Sequence, residues 1–334
     1  MNTEDPDQAR SRTIGVVVIG RNEGERLRKC LTSAVREAPG LVYVDSDSSD
    51  GSVALAQSLG VETHALDPAT PLSAARARNE GRERLRQKQP GLQYLQFVDG
   101  DCELCDGWLE AAAEFLERHV DVAVVSGRLR EKYPDSSVFN LTMEFEWDLP
   151  AGEARSCGGI AMMRASAFDR VQGFRTDLIA GEEPELCVRL RRMGWRIWRL
   201  DREMALHDLA ISRFAQWFKR ALRTGHTYAE GVALHGAPPE RHYLREYRSA
   251  LFWGLCIPFA TLALVAIVGP RGALLLALYP LQIIRLARRG ERSARANWWR
   301  GLLLVIGKFP EVLGVLLFHV RRALGQRPRL IDYK

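Results

Sequence analysis

Residues 13–19, Thr13-Ile14-Gly15-Val16-Val17-Val18-Ile19, are apolar and β-branched almost without a break. That pattern predicts a strand buried on both faces. Gly20-Arg21-Asn22-Glu23-Gly24 interrupts it, and Glu25 to Arg36 follows with helical spacing. Leu41-Val42-Tyr43-Val44 predicts a second strand and Val53 to Leu59 a helix. A third strand falls at Val61–Ala65, a strongly basic helix at Ser73–Gln87 and a fourth strand at residues 94–98. Strand and helix alternating at this spacing predict an α/β fold with a parallel sheet. Ligands of such sheets sit beyond the carboxyl ends of the strands. Asp45, Asp99 and Asp101 fall there.

Beyond residue 102 the pattern loosens. Asp106 to Arg118 reads as a helix, Val122–Val125 as a strand, Glu185 to Met193 as a helix and Trp195–Trp198 as a strand. Residues 127–160 read as loop-rich, with an acidic and aromatic cluster of Phe139, Glu144, Phe145, Glu146, Trp147 and Asp148. Near residue 249 the texture changes. Ser249 to Val268 carries no charge for about 20 residues, enough to cross a bilayer core. Gly269-Pro270-Arg271-Gly272 breaks it, and a shorter apolar segment, Ala273 to Ile284, follows. A third, Gly301 to Val320, is interrupted by Lys308, Pro310, Glu311 and His319. If the first two segments form a hairpin, both of its ends stay cytoplasmic, and the third segment is expected to be a kinked, re-entrant or interfacial helix. The organisation expected is a polar tail at 1–12, a catalytic domain at 13–235 and a membrane-associated helical region at 236–334.

Composition sharpens this picture at two points. The formal net charge is +6, and much of the excess arginine lies near the C-terminus, at Arg285, Arg288, Arg289, Arg292, Arg295, Arg300, Arg321 and Arg322. Arginines bordering apolar segments point to a lipid surface with the catalytic domain on the cytoplasmic side. They do not point to nucleic acid, because they border apolar segments rather than aromatic platforms that stack bases. The six cysteines are scattered and no secretory signal precedes them, so reduced thiols in the cytoplasm are expected. Cys102-Glu103-Leu104-Cys105 lacks the further ligands of a structural zinc site.

The chemistry lies in the carboxylates. Asp99 and Asp101 flank one glycine where a buried strand ends, an arrangement that suits a hard divalent cation sharing its shell with phosphate oxygens. Asp45 stands at the end of the second strand. In Asp45-Ser46-Asp47-Ser48-Ser49-Asp50-Gly51-Ser52, Asp50 or Ser49 is expected to cap the helix that follows. Gly181-Glu182-Glu183-Pro184-Glu185 places acids just before a helix, where a carboxylate could act as a general base.

Taken in order, Ile19-Gly20-Arg21-Asn22-Glu23, Val44-Asp45-Ser46, Arg76-Ala77-Arg78-Asn79, Asp99-Gly100-Asp101, Gly158-Gly159-Ile160-Ala161, Glu182-Glu183 and Trp217-Phe218-Lys219-Arg220 resemble family 2 glycosyltransferases over about residues 13–230. The resemblance implies a GT-A fold: a Rossmann-like, mostly parallel sheet flanked by helices, here followed by C-terminal membrane-associated helices. It implies an inverting transfer of a sugar from a nucleotide-diphosphate sugar to a hydroxyl acceptor, lipid-linked or glycan, with Mg²⁺ or Mn²⁺. Bacterial-type cell-envelope polysaccharide or glycolipid synthesis is the setting it suggests.

By position, Asn22, Glu23, Asp45, Arg78, Asn79 and Asp99 would face the nucleotide, and Asp101 and His207 would hold the metal. Gly158, Gly159, Trp217 and Arg220 would lie on the acceptor or diphosphate side. Arg213–Arg223 reads equally as a basic amphipathic helix resting on a membrane surface. Glu183 falls on the position of the catalytic base, where the family usually has Glu-Asp, so Glu182 and Glu183 both remain candidates. Two other classes compete with this reading. One is a membrane-tethered nucleotidyltransferase and the other a catalytically inactive sugar or nucleotide binder.

Overall fold

The computed structural model describes residues 13–38 and 40–326. The expected N-terminal tail, and the last residues of the expected membrane region, 327–334, lie outside the described residues. Two compact units emerge, and they interleave along the chain. The first takes the described residues up to Lys132, then Trp147–Leu178 and Glu182–Leu209. The second takes Tyr133–Glu146, Ile179–Gly181 and the chain from Ala210 onward.

The first unit is built on β1 (Ile14–Gly20), β2 (Gly40–Asp45), β3 (Glu62–Ala65), β4 (Tyr94–Asp99), β5 (Cys102–Leu104), β6 (Val122–Glu131), β7 (Gly152–Ala154), β8 (Ala161–Arg164) and β9 (Arg196–His207). Its helices begin with α1 (Glu25–Glu37), α2 (Ser52–Ser58), α3 (Ala74–Lys88) and α4 (Trp108–Arg118). The order in the sheet is β3-β2-β1-β4-β8-β6-β9-β5, with β7 added to β9. β1 is central, paired in parallel with β2 and with β4. The sheet is mixed rather than uniformly parallel, because β8 runs antiparallel to β4 and β6, and β5 and β7 antiparallel to β9.

The unbroken apolar run of β1 serves two cores, because successive side chains of a strand point to opposite faces. Val16 and Val18 join α1 and α4 residues such as Leu27, Leu31 and Trp108. Val17 and Ile19 join Leu85, Phe97, Phe168 and Leu186 on the other face. The one polar side chain in the middle of β4, Gln96, is fully buried but satisfied: its Oε1 accepts from Trp108 Nε1 at 2.9 Å.

Several local expectations shift. α2 starts after Gly51 in the left-handed region, so neither Ser49 nor Asp50 is its cap residue. Asp50 instead accepts from Ser52 N at 3.0 Å and from Gly24 N at 2.9 Å, tying two loops together. The stretch expected to be loop-rich carries the long β6, β7 and the helix α5 (Val138–Trp147). Its apolar residues lack strong helical periodicity, which hid the helix. After α6 (Ala165–Arg170), the helix expected from Glu185 begins earlier, as α7 (Glu182–Arg192), so Glu182 and Glu183 form its first turn. That turn favours acids through the helix dipole.

The second unit is helical: α5, then α8 (Phe214–His235), α9 (Leu244–Leu251), α10 (Ile257–Val268), α11 (Leu278–Arg288), α12 (Ala294–Ile306) and α13 (Lys308–Ala323). α8 and α13 cross where both carry glycine. A Cβ on Gly225 would stand 1.9 Å from Glu311 O, and one on Gly314 would stand 2.0 Å from Leu222 O. The backbones therefore touch at a distance no larger residue allows. The first two apolar segments form a hairpin: Tyr279 Oη donates to Trp253 O at 2.7 Å, and the backbone at Gly272 abuts Leu264 and Val265. The third segment changes helix at Gly307, three residues before Pro310.

Leu244–Arg288 and Ala294–Ala323 are long and apolar enough to cross a membrane. Only 17% of the most apolar window of the first is buried, against 56% for the second. Phe259, Leu262, Ile267 and Leu274 stand exposed on the first.

His226, on α8, lies between Phe318 and Glu230 and is almost fully buried. Burial, and then the positive charge of Arg321, lower its pKa to about 4. The unfolded-state value is higher, so this histidine costs nothing above pH ~6.5 and destabilises the fold as pH falls from there towards 4. The thermal midpoint of the detergent-purified protein is therefore expected to drop between pH 7 and pH 5. The drop should be smaller in His226→Gln, as read by differential scanning calorimetry.

Candidate active site

The carboxyl ends of β1, β2 and β4 and the start of α7 carry most of the candidate residues, and all of these belong to the first unit. β1 ends in the loop of Asn22 and Glu23. Asn22 donates its N–H to Ser48 Oγ at 2.9 Å, and its Oδ1 accepts from Ser49 N at 2.8 Å. The loops after β1 and β2 are thereby locked together. Glu23 is buried and pairs with Arg26 at 2.8 Å. Asp45, at the end of β2, is 2% exposed. Its Oδ1 accepts from Tyr43 Oη at 2.7 Å and its Oδ2 from Ser48 N at 2.8 Å. Burial, then the bond to Asp45, raises the Tyr43 pKa well above its ordinary value.

α3 delivers Arg78 and Asn79. The buried Arg78 guanidinium forks between two carboxylates, donating to Asp99 Oδ1 at 2.7 Å and to Glu182 Oε1 at 2.6 Å. Burial works against this charge, yet Asp99 and Glu182 outweigh it and raise the Arg78 pKa further. Gly159 is needed beside this pair, because a Cβ there would stand 3.0 Å from both Arg78 Nη2 and Asp99 Oδ2. Gly158, before it, takes a left-handed φ of 81°. Asn79 spends its amide on the backbone of Phe174, donating to its carbonyl at 2.7 Å and accepting from its N–H at 2.9 Å.

Two residues past Asp99, Asp101 is 4% exposed. The three-residue strand β5 that follows it pairs with the end of β9, setting Cys102 opposite His207. That register brings His207 Nε2 to 3.3 Å from Asp101 Oδ1. The His207 ring lies edge-on to Trp147, 4.7 Å between centroids, and its buried Nδ1 has no hydrogen-bond partner. Asp101, Cys102 and His207 each present a ligand atom within 4.8 Å of the others. One carboxylate and one imidazole at a strand terminus form an oxygen and nitrogen donor set of the kind Mn²⁺ or Mg²⁺ accepts.

The two α7 carboxylates separate in role. Glu182 is held by Arg78, as above. Glu183 is 6% exposed, and its Oε1 takes three donors: Cys157 N at 2.6 Å, Cys157 Sγ at 3.0 Å and Cys187 Sγ at 3.1 Å. Its Oε2 receives no hydrogen bond from the described residues. The cysteines are not legible as site residues, because buried thiols look like ordinary core positions in a sequence. Burial, then Cys187 and Glu183, pushes the Cys157 thiol well up. At Cys187 the bond from Cys157 acts downward, but burial and Glu183 outweigh it. Both thiols therefore keep their protons and donate. Cys105 is also raised, by burial and then by Glu203 and Asp106, and is no activated thiol.

Trp217 and Arg220 lie on α8 in the second unit. Trp217 is buried and stacks on Phe139, 5.9 Å between centroids, while Arg220 donates to Glu146 Oε2 at 2.9 Å.

A mixed sheet of this order, with acidic groups gathered at its carboxyl end, has the architecture of the GT-A fold. Residues 15–171 match the family model described as Glycosyl transferase family 2, and the chain carries a family 2 glycosyltransferase domain over that stretch. Among solved structures, it resembles a mannosyltransferase from Pyrobaculum calidifontis in complex with GDP-Man and Mn²⁺, with 18% identity, 92% of this chain and 88% of that chain covered, and a TM-score of 0.64. A mycobacterial protein matches with 17% identity over 70% of this chain and 78% of that one, TM-score 0.51. No curated protein matches the sequence.

Proposed function

We propose that the protein is a membrane-anchored, inverting glycosyltransferase that moves a sugar, of hexose type, from a nucleotide-diphosphate donor to a hydroxyl of a lipid-linked or glycan acceptor. The observation that carries this reading is the linked set Asp99–Arg78–Glu182 and Glu183, placed beside the Asp101–His207 pair at the carboxyl end of the sheet. Asp101 and His207 would hold Mg²⁺ or Mn²⁺, since His207 Nε2 and Asp101 Oδ1 already face each other at 3.3 Å. When bound, the cation neutralises charge developing on the departing diphosphate.

The protein's own groups do the rest. Asp45, Asn22 and Glu23 stiffen the loops that border the nucleotide, and Asn79 braces the Phe174 segment. Arg78 fixes Asp99 and Glu182 and offsets their charge near an anionic donor. Glu183, anchored through Oε1, uses Oε2 to take the acceptor hydroxyl proton as that oxygen attacks the anomeric carbon from the face opposite the leaving group.

Leu244–Arg288, with most of its apolar surface uncovered, would insert in the bilayer. The arginines after it would stay on the cytoplasmic side with the catalytic domain. Residues 13–235 would form the catalytic domain and 236–334 the membrane region. A bilayer anchor suits a lipid-linked acceptor of cell-envelope synthesis. The test is turnover by detergent-purified protein with Mn²⁺, using GDP-mannose first and other nucleoside diphosphate sugars in parallel, with product anomeric configuration read by NMR. Release of nucleoside diphosphate with inverted product supports the reading. No turnover with any donor and acceptor lipid contradicts it.

A further inference from the structure

Glu183 does not sit in an ordinary carboxylate environment. The two thiols beside it belong to different segments, Cys157 to the turn before β8 and Cys187 to α7, one helical turn beyond Glu183. Their sulfurs are 3.7 Å apart, and each lies 3.0–3.1 Å from Glu183 Oε1. All three side chains are buried, and their ligand atoms lie within 4.8 Å of one another.

A tetrahedral Zn²⁺ with bonds of about 2.3 Å to sulfur and about 2.0 Å to oxygen holds two sulfurs roughly 3.8 Å apart and a sulfur and an oxygen roughly 3.5 Å apart. The sulfur pair already has that spacing, and the carboxylate oxygen needs to withdraw by about half an ångström. The thiol protons now bridging the gap are what a cation would displace. Two soft thiolates beside one hard carboxylate favour Zn²⁺ over Mn²⁺ or Mg²⁺. The Asp101–His207 pair, an oxygen and a nitrogen donor without a thiolate between them, carries no such thiolate-based selectivity.

We propose that Cys157, Glu183 and Cys187 form a second cation site, selective for a soft divalent ion of the Zn²⁺ class and separate from the donor-side site. Binding releases the two thiol protons, so affinity rises with pH. Resting on the reading of Glu183 as the base, occupancy removes that base and inhibits transfer.

Co²⁺ is the probe, because thiolate ligation gives it a near-ultraviolet charge-transfer band. Full-length, reduced, chelator-treated protein in detergent is titrated with Co²⁺ at pH 7.5. One Co²⁺ per chain should produce the band, and Cys157→Ser or Cys187→Ser should abolish it. Cys102→Ser and Asp101→Asn should retain it. A band that is absent from the wild type, or that survives in the double variant Cys157→Ser/Cys187→Ser, overturns the proposal. Should those variants fail to fold, alkylation of wild-type protein followed by peptide mass spectrometry decides. Zn²⁺ must slow labelling of Cys157 and Cys187 roughly tenfold, and equal labelling with and without Zn²⁺ overturns the site. Transfer is measured on the same samples. A Zn²⁺-occupied site with undiminished turnover leaves the site standing and removes Glu183 from its role as base.

Discussion

Glu183→Gln is expected to lower kcat by about a thousandfold while leaving donor affinity nearly unchanged. General base catalysis contributes on the order of 10²–10⁴ in rate. The glutamine oxygen can still accept from Cys157 N and the two thiols that hold Oε1, so α7 should keep its place. What is lost is a proton acceptor at the second position. Glu182→Gln provides the contrast. Glu182 Oε1 is committed to Arg78, so its loss acts through the placement of Arg78 and Asp99 and should weaken donor binding more than kcat. Steady-state kinetics of the two variants, with kcat and KM resolved for the donor, separate these carboxylates. The opposite assignment, with Glu182 carrying the kcat loss, would make Glu182 the base.

Asp101→Ala is expected to cost about a hundred- to a thousandfold in turnover, the scale of the charge stabilisation a catalytic cation supplies. Asp101 is nearly fully buried and faces His207. Its removal takes away the only carboxylate of the Asp101, Cys102 and His207 group. Chelation of wild-type protein should reproduce the loss, and excess Mn²⁺ should restore the wild type but not the variant. Glu183→Gln, by contrast, should bind Mn²⁺ normally. The pair of variants thus divides one active site into a cation half and a base half.

The strand ends of the site are legible in the sequence itself. The β-branched run at 13–19 and the apolar run at 94–98 are strands with both faces buried, so Asp99 and Asp101, at the end of the second, emerge at the ligand edge. Asp45 follows by the same logic. The partnership of Asp101 with His207 depends on a strand of three residues pairing about 100 positions away in the chain, too short to leave a periodic trace. The helix at Val138–Trp147 is hidden by a composition of acids and aromatics without a clear apolar face. The thiols around Glu183 carry no sequence signal, because a buried cysteine and a ligand cysteine read alike. The interleaving of the two units is equally invisible, since short segments such as Ile179–Gly181 change units with no change in composition.

Whether the strand ends hold a cation at Asp101 and His207 is decided by anomalous scattering from crystals grown with Mn²⁺ and GDP. One manganese peak is expected at coordination distance, about 2.1–2.3 Å, from a carboxylate oxygen of Asp101 and from His207 Nε2, with the diphosphate on its open side. A diphosphate bound in the first unit with no manganese at Asp101, or with manganese held by other residues, would contradict that placement.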